Sequence, residues 1–195
     1  PSRPGLFQIL EALAPEELRR DVWAACMTPR WYFGNRSSDT QASRPFWKMD
    51  LDDVDAVDRL WRHAKPVCER LTESPLRVVR QYGNGHTYGL GGQPHYDDVR
   101  AGTFTLLYYP MPRWEPAWEG ETLFFNPAGH VAAGVAIAPN RAVLFDSRMS
   151  HSARAPSRPR PAPRGPPASH PHRDAPRPES RLPGAARHAG VQAGA

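Results

Sequence analysis

The sequence has little cysteine, no apolar run long enough to span a bilayer and no signal-peptide pattern at its first residues. Only Cys26 and Cys68 occur among 195 residues, so neither a disulfide framework nor a cysteine-based zinc site is expected. Two isolated thiols are typical of buried side chains in a reducing compartment. Because no apolar run reaches bilayer length, a membrane-spanning helix is not expected. Together these absences predict a cytoplasmic protein with no membrane partner.

The first 151 residues also lack a basic excess, since they hold 17 Lys and Arg against 18 Asp and Glu. The net charge of +5 comes from residues 152–195, where 8 Arg are opposed only by Asp174 and Glu179. A nucleic-acid-binding protein that uses this Arg-rich tail is one hypothesis. The tail, however, has no aromatic side chain on which bases could stack, and the body is slightly acidic. Nucleic acid is therefore not expected as a partner.

The order of patterns along the chain separates a helical part from a β-rich part. In residues 1–75, apolar residues recur at helical spacing after Pro15 and again between residues 51 and 73. Residues 76–158 hold short β-rich runs separated by turn signals, such as Gly-Asn-Gly at 83–85. This order predicts an α+β fold in one domain, residues 1–158, with a β-sandwich or jelly-roll core and N-terminal helices packed on one sheet.

Residues 159–195 lack the pattern of a folded segment. Residues 152–195 hold 10 Pro, many Ala, Gly and Arg, and no aromatic residue, which is a composition typical of disorder. A second hypothesis is that the reading frame slips after Arg158, because such a composition is also typical of high-GC coding sequence translated out of frame. The prediction is therefore a Pro/Arg-rich tail that is disordered or aberrant.

Two motifs far apart in the sequence carry the chemistry. His95 and Asp97 are two residues apart, so on an extended strand both side chains leave one face, whereas Asp98 leaves the other. His151 lies 54 residues after Asp97, beyond the apolar run 141–146, which reads as a buried strand. Two imidazoles and one carboxylate on one face of a metal ion form the ligand set of non-heme Fe(II) oxygenases. These residues predict a metal site ligated by His95, Asp97 and His151.

Five segments between residues 77 and 158 resemble a known family in their order and spacing. They are Val-Arg-Gln-Tyr-Gly-Asn-Gly at 79–85, His-Tyr-Asp at 95–97, Leu-Leu-Tyr-Tyr at 106–109, Trp-Glu-Gly-Glu-Thr-Leu-Phe at 118–124, and Arg-Ala-Val-Leu-Phe at 141–145 followed by His151. This part of the chain resembles the double-stranded β-helix (jelly-roll, cupin-like) core of the 2-oxoglutarate/Fe(II)-dependent dioxygenases, particularly the prolyl-4-hydroxylase-like branch.

The resemblance implies a cofactor and a co-substrate. His95, Asp97 and His151 would bind Fe(II), and 2-oxoglutarate would chelate the metal through its keto-acid end. Its far carboxylate would meet Tyr109 and a basic residue, while Tyr82 would line the pocket nearby. Arg160 is expected to be that basic residue, with Arg164 as the alternative, because a guanidinium fork suits a carboxylate. Ascorbate is a further candidate cofactor.

The chain departs from the family pattern where this basic residue is expected. Pro159, Pro161 and Pro163 cannot donate to a sheet ladder, so they confine the segment to a sheet edge or to no strand.

The activity that the resemblance implies is that of a dioxygenase. It would use O2 to hydroxylate a C–H bond of a small molecule or a peptidyl side chain, releasing succinate and CO2. The presence of Asp97 favours hydroxylation over halogenation, since related halogenases lack this carboxylate. The alternative is an inactive or impaired family member that lacks a proper C-terminal strand for the co-substrate.

Overall fold

The computed structural model describes residues 5–36, 44–157 and, as backbone, 186–194. Within these ranges the helices are α1 (Glu16–Cys26) and α2 (Asp55–Thr72). The strands are β1 (Phe7–Leu10), β2 (Tyr32–Asn35), β3 (Phe46–Asp50), β4 (Arg77–His86), β5 (Thr103–Tyr109), β6 (Thr122–Phe125), β7 (Val131–Val135), β8 (Arg141–Asp146), β9 (His151–Ala153) and β10 (Ala186–Gly194).

The strands form two antiparallel sheets. The larger sheet has seven strands in the order β1-β8-β5-β10-β4-β3-β2, and the smaller has three in the order β7-β6-β9. Neighbours in the large sheet are mostly distant in sequence, as in a sheet assembled by long-range pairing rather than by consecutive hairpins. This arrangement agrees with the predicted α+β class.

Both helices are amphipathic and begin with acidic residues that suit the positive end of the helix dipole. Glu16 and Glu17 lie in the first turn of α1, and Asp55 and Asp58 in that of α2. The buried residues of α2 recur every three or four positions and so form one face: Val57, Leu60, Trp61, Ala64, Cys68 and Thr72. Neither of these helices combines the length and apolar character needed to cross a membrane.

Strand β5 lies at the centre of the core and separates two apolar layers. Phe104, Leu106 and Tyr108 pack with the helices in one cluster, whereas Leu107 and Tyr109 pack in a second cluster with residues of the small sheet. Adjacent residues of a strand project to opposite faces, so this division follows directly from the period of two. The helices therefore cover one face of the large sheet, as predicted, and the other face is left for the small sheet and the site between them.

The structure differs from the sequence prediction in the tail. The backbone of β10 lies between β4 and β5, with Val191 opposite Gln81 on one side and Leu106 on the other. Residues 186–194 thus form a strand inside the stretch expected to be disordered, while Arg158 to residue 185 lie outside the described residues. The sequence carried no signal for this strand because Ala and Gly have low β-propensity. Pairing on both sides, rather than local preference, places it there.

We expect Val191→Pro to destabilise the fold, whereas Ala195→Pro, one residue beyond β10, should not. Proline removes a backbone N–H from a strand that is paired on both sides, and the carbonyl left without its donor costs roughly 1–3 kcal/mol. Urea unfolding of both variants measures the difference. Equal stability of the two would show that this strand is absent from the sheet and would favour a reading-frame slip.

Candidate metal centre

His95 and His151 lie opposite each other in an isolated antiparallel bridge. Each backbone N–H donates to the carbonyl oxygen of the other residue, and both N···O distances are 3.0 Å. Opposed residues of an antiparallel pair project to the same face, so the two imidazole rings are neighbours, with centroids 4.4 Å apart. Strand β9 fixes His151 in this place through its pairing with β6, where Phe124 lies opposite His151.

The backbone also fixes which nitrogen of each ring faces the site. Nδ1 of His95 lies 2.8 Å from the carbonyl oxygen of Gln93, and Nδ1 of His151 lies 3.0 Å from that of Met149. A carbonyl oxygen can only accept a hydrogen bond, so Nδ1 carries the proton in both rings. In the neutral rings Nε2 then keeps its lone pair, which is the form that binds a metal ion. Both imidazoles are therefore oriented as ligands.

Asp97 completes the group from the opposite side. Its Oδ1 lies 3.7 Å from Nε2 of His95, its Oδ2 lies 3.6 Å from Nε2 of His151, and 7% of its side chain is exposed. Burial opposes ionisation of this carboxyl, but the neighbouring imidazoles of His95 and His151, together with the hydroxyl of Thr105, hold its pKa well below the usual range. Asp97 is therefore an anion in a buried place.

The two histidines respond differently to this anion. Burial opposes the protonation of His95, but the nearby Asp97 carboxylate and the hydrogen bond to the Gln93 carbonyl outweigh burial and raise the pKa of His95. Burial prevails at His151 and lowers its pKa. One candidate ligand atom from each of the three residues lies within 4.8 Å of the others, so one metal ion could contact all three.

Two hydroxyl groups orient the carboxylate. Oγ1 of Thr105 donates to Oδ2 of Asp97 at 2.7 Å and lies 3.0 Å from Oγ of Ser147. The backbone of Ser147 also accepts a hydrogen bond from the N–H of Asp97 at 3.1 Å. The hydroxyl of Tyr82 donates to Oδ1 at the longer distance of 3.4 Å. Thr105 thus binds Oδ2 directly, and Ser147 supports this arrangement through the Thr105 hydroxyl and the Asp97 backbone.

A cavity, here called the inner cavity, opens beside the three ligand candidates. Its other lining residues are Phe46, Tyr82, Asn84, His86, Gly92, Thr105, Leu107, Thr122, Phe145 and Ala153. The sequence pattern identified Tyr82 as a residue of this wall but gave no indication of a role for His86 or Asn84. Alternation along β4 could have found both, because residues 82, 84 and 86 share one face.

His86 is a buried member of this wall. It is 4% exposed, its Nδ1–H donates to the carbonyl of Leu90 at 3.2 Å, and its ring lies 5.1 Å from that of Phe46. Burial lowers its pKa to about 4. His86 therefore contributes a neutral, polar ring to the cavity at physiological pH.

The remaining predicted site residues differ in their placement. Tyr82 lines the inner cavity and reaches Asp97. Tyr109 is fully buried, its hydroxyl lies 2.7 Å from Oγ1 of Thr122 in the cavity wall, and burial raises its pKa to about 12. Arg160, like the alternative Arg164, lies outside the described residues. The structure thus brings Tyr82 next to the metal-ligand candidates and Tyr109 one residue behind the wall.

The chain matches no protein-family sequence model and no curated protein sequence, but it matches solved structures. The viral collagen prolyl hydroxylase vCPH from Paramecium Bursaria Chlorella virus-1, solved as a 2OG complex, is 10% identical, with 97% of this chain and 96% of that chain covered and a TM-score of 0.63. An oxidoreductase of the 2OG-Fe(II) oxygenase family from Burkholderia pseudomallei is 10% identical, with 96% and 84% covered and a TM-score of 0.65.

A third similar structure is the epimerase SnoN in complex with Fe3+, alpha ketoglutarate and nogalamycin RO. It is 11% identical, with 96% of this chain and 78% of that chain covered and a TM-score of 0.67. At identities of 10–11% the likeness concerns the fold. The chain has the fold of the 2-oxoglutarate/Fe(II) oxygenases, including prolyl-4-hydroxylases, so the resemblance seen in the sequence is confirmed at that level.

We expect Thr105→Val to weaken binding of Fe(II) or Co(II) by about 10–100-fold, because residues that orient a ligand typically have effects of this size. Thr105→Ser, which keeps the hydroxyl, should restore most of the affinity. Anaerobic titration calorimetry gives the dissociation constants, and thermal unfolding shows whether the variants are folded.

Thr103→Val is the matched control, since Thr103 is equally buried on the same strand, at 4% exposure, and its backbone carbonyl accepts a hydrogen bond from the Ser147 N–H that a valine retains. An unchanged metal affinity in folded Thr105→Val would contradict the orienting role of this hydroxyl.

Proposed function

We propose that the chain is a non-heme Fe(II)- and 2-oxoglutarate-dependent dioxygenase with a double-stranded β-helix core. It hydroxylates a C–H bond of a small molecule or a peptidyl side chain, with release of succinate and CO2. The observation that carries this proposal is the convergence of two imidazole Nε2 atoms and the carboxylate of Asp97 beside a buried cavity. The fold, shared with solved 2-oxoglutarate/Fe(II) oxygenases, supports the same conclusion.

The donor set of His95, Asp97 and His151 fits Fe(II). Two neutral imidazoles and one carboxylate on one face of the ion form the facial triad typical of non-heme iron oxygenases, and they leave positions for other ligands. When bound, iron and 2-oxoglutarate supply the oxidative chemistry that couples decarboxylation of the co-substrate to hydroxylation. The protein residues hold the donors in place and exclude water, the latter through the apolar side chains of Phe46, Leu107 and Phe145 on the cavity wall.

The inner cavity suits the co-substrate. The hydroxyl of Thr122 can donate to a carboxylate oxygen, because the Tyr109 hydroxyl directly behind it, at 2.7 Å, can act as the donor to Thr122. The proposed partner of the far carboxylate stays Arg160, with Arg164 as the alternative.

The alternative of an impaired member without a C-terminal strand is not favoured. It was motivated by the proline-rich segment after Arg158, which suggested that the C-terminal strand is lacking. The large sheet, however, contains a C-terminal strand, β10, between β4 and β5. Binding of ascorbate and a cytoplasmic location stay predictions from the sequence.

We expect anaerobic addition of Fe(II) and then 2-oxoglutarate to produce a visible metal-to-ligand charge-transfer band in the wild type and in Asp98→Asn. The band should be lost in Asp97→Asn, with metal affinity lowered by at least about 100-fold, because Asp97 is a direct ligand and outer partners alone change affinity by 10–100-fold.

Asp98 is a matched control because it is the adjacent carboxylate and its Oδ2 is held by Arg100 at 2.6 Å, away from the metal-ligand candidates. Metal binding by Asp97→Asn with the affinity of the wild type would overturn the assignment of the site. Metal binding in the wild type without the charge-transfer band would instead overturn the assignment of the co-substrate.

The residue that meets the far carboxylate can be identified from the 2-oxoglutarate dependence of this band. Of Arg160→Ala and Arg164→Ala, one variant should need about 10–100-fold more 2-oxoglutarate for half-saturation, because it loses a charge-assisted hydrogen bond. Arg113→Ala is the control, since Arg113 is exposed and pairs with Glu115 at 2.7 Å, outside the cavity wall. Wild-type half-saturation in both variants would exclude these two candidates together.

A further inference from the structure

A second cavity, here called the outer cavity, adjoins the inner one. The two share five wall residues, namely Phe46, Tyr82, Asn84, His95 and Asp97. The outer cavity extends from them to residues of β3 and the beginning of β4, including Lys48, Asp50, Asp52 and Arg80. A molecule in the outer cavity would therefore contact the same metal-ligand candidates from the side opposite to the buried co-substrate space.

The two cavities differ in charge. Among the described residues, no Lys or Arg lines the inner cavity, whereas Arg36, Lys48 and Arg80 line the outer one. Two of the acidic residues beside these cations already have partners within the protein. Asp50 accepts a 2.9 Å ion pair from Lys48, and Asp52 accepts the backbone N–H of Gln81 at 3.2 Å. The outer cavity thus has a cationic side that its own carboxylates do not fully use.

Arg80 is the cation best placed to bind a ligand. Its guanidinium lies 5.2 Å from the centroid of the Tyr82 ring, and one N–H donates to the carbonyl oxygen of Asp97 at 2.9 Å. Among the described residues it makes no ion pair with a carboxylate. Stacking and one hydrogen bond hold the side chain in place, while most of its five N–H donors remain for a ligand.

A second cation lies near the same ring. The Lys48 ammonium is 5.7 Å from the centroid of Tyr82, but it pairs with Asp50 at 2.9 Å. Arg80 is therefore the main cation for a ligand in the outer cavity, and Lys48 adds a partly compensated positive charge. A guanidinium fork matches the two oxygens of a carboxylate in particular.

The shared wall also presents a hydrogen-bond acceptor. Oδ1 of Asn84 is buried and has no hydrogen-bond partner among the described residues. Positions 80, 82 and 84 share one face of β4, so this acceptor and Arg80 flank Tyr82. A buried acceptor left without a donor costs free energy, and 2-oxoglutarate, which carries only acceptors at neutral pH, cannot provide one. The primary substrate can.

We propose that the outer cavity binds the primary substrate through a free carboxylate on Arg80, and that the substrate also donates a hydrogen bond to Asn84. This combination fits an amino acid or a closely related small amino-carboxylic acid, whose α-carboxylate and α-ammonium group supply both partners, whereas within a polypeptide only Asp, Glu or the C-terminus has a free carboxylate. The inference rests on the proposed function and selects the small-molecule substrate class from its two options.

The test uses the full chain loaded anaerobically with Fe(II) and 2-oxoglutarate, and the probes are the 20 protein L-amino acids. Calorimetry measures binding, and the charge-transfer band reports whether a bound amino acid perturbs the metal. At least one amino acid should bind and shift the band. Its α-carboxamide derivative should bind about 10–100-fold more weakly, because an uncharged amide cannot form the charge-assisted hydrogen bonds with Arg80.

Arg80→Gln should remove most of this preference for the acid over the amide while the 2-oxoglutarate band persists. Arg77→Gln, an exposed arginine on the same strand, should change neither. Should Arg80→Gln fail to fold, Lys48→Gln, which leaves the bond from Arg80 to Asp97 intact, is expected to reduce the same preference by a smaller factor.

The outcomes separate the two proposals. Absence of the band in the wild type would overturn the proposed function. With the band present, the carboxylate inference is overturned by failure of every amino acid to bind, by equal binding of acid and amide, or by an unchanged preference in a folded Arg80 or Lys48 variant. Loss of the band in folded Arg80→Gln would also overturn it, because Arg80 would then serve the metal or the co-substrate.

Discussion

The reciprocal backbone pair between His95 and His151 is the constraint on which the site depends. Two hydrogen bonds of 3.0 Å join segments 56 positions apart in the chain and bring both imidazole rings to one face. Two further carbonyl groups, those of Gln93 and Met149, fix the ring nitrogens. Backbone atoms thus orient both histidines, so this part of the site geometry follows from the pairing of the two segments, whereas side-chain hydroxyls orient Asp97.

Asp97 is the residue that best supports the proposed metal site. A buried carboxylate is unfavourable unless its charge is compensated. Thr105, Tyr82 and two imidazoles contribute to that compensation. A divalent cation between Asp97 and the two Nε2 atoms would add a full positive charge, so the proposed metal would also account for the burial of this residue.

The two faces of the large sheet have different roles, since one packs in the helix-side core and the other lines the cavities. One face of β5 packs with the helices and holds Phe104, Leu106 and Tyr108, whereas the other contributes Thr105 and Leu107 to the inner cavity. Apolar packing on the helix side stabilises β5, so the residues on its opposite face can be polar. The same division holds along β4, whose positions 80, 82 and 84 present a cation, an aromatic ring and an amide to the cavities.

The sequence by itself determined the helices, the β-rich core and the three ligand candidates. Helical spacing and the His-x-Asp pair are local patterns, and the order of segments linked His151 to that pair. Only the tertiary structure decided that His86 and Asn84 line the cavity and that β10 completes the sheet. Alternation defines two faces of a strand but not which face is buried. The Ala- and Gly-rich β10 has no β-preference of its own, so its place depends on hydrogen bonds from β4 and β5, distant in sequence.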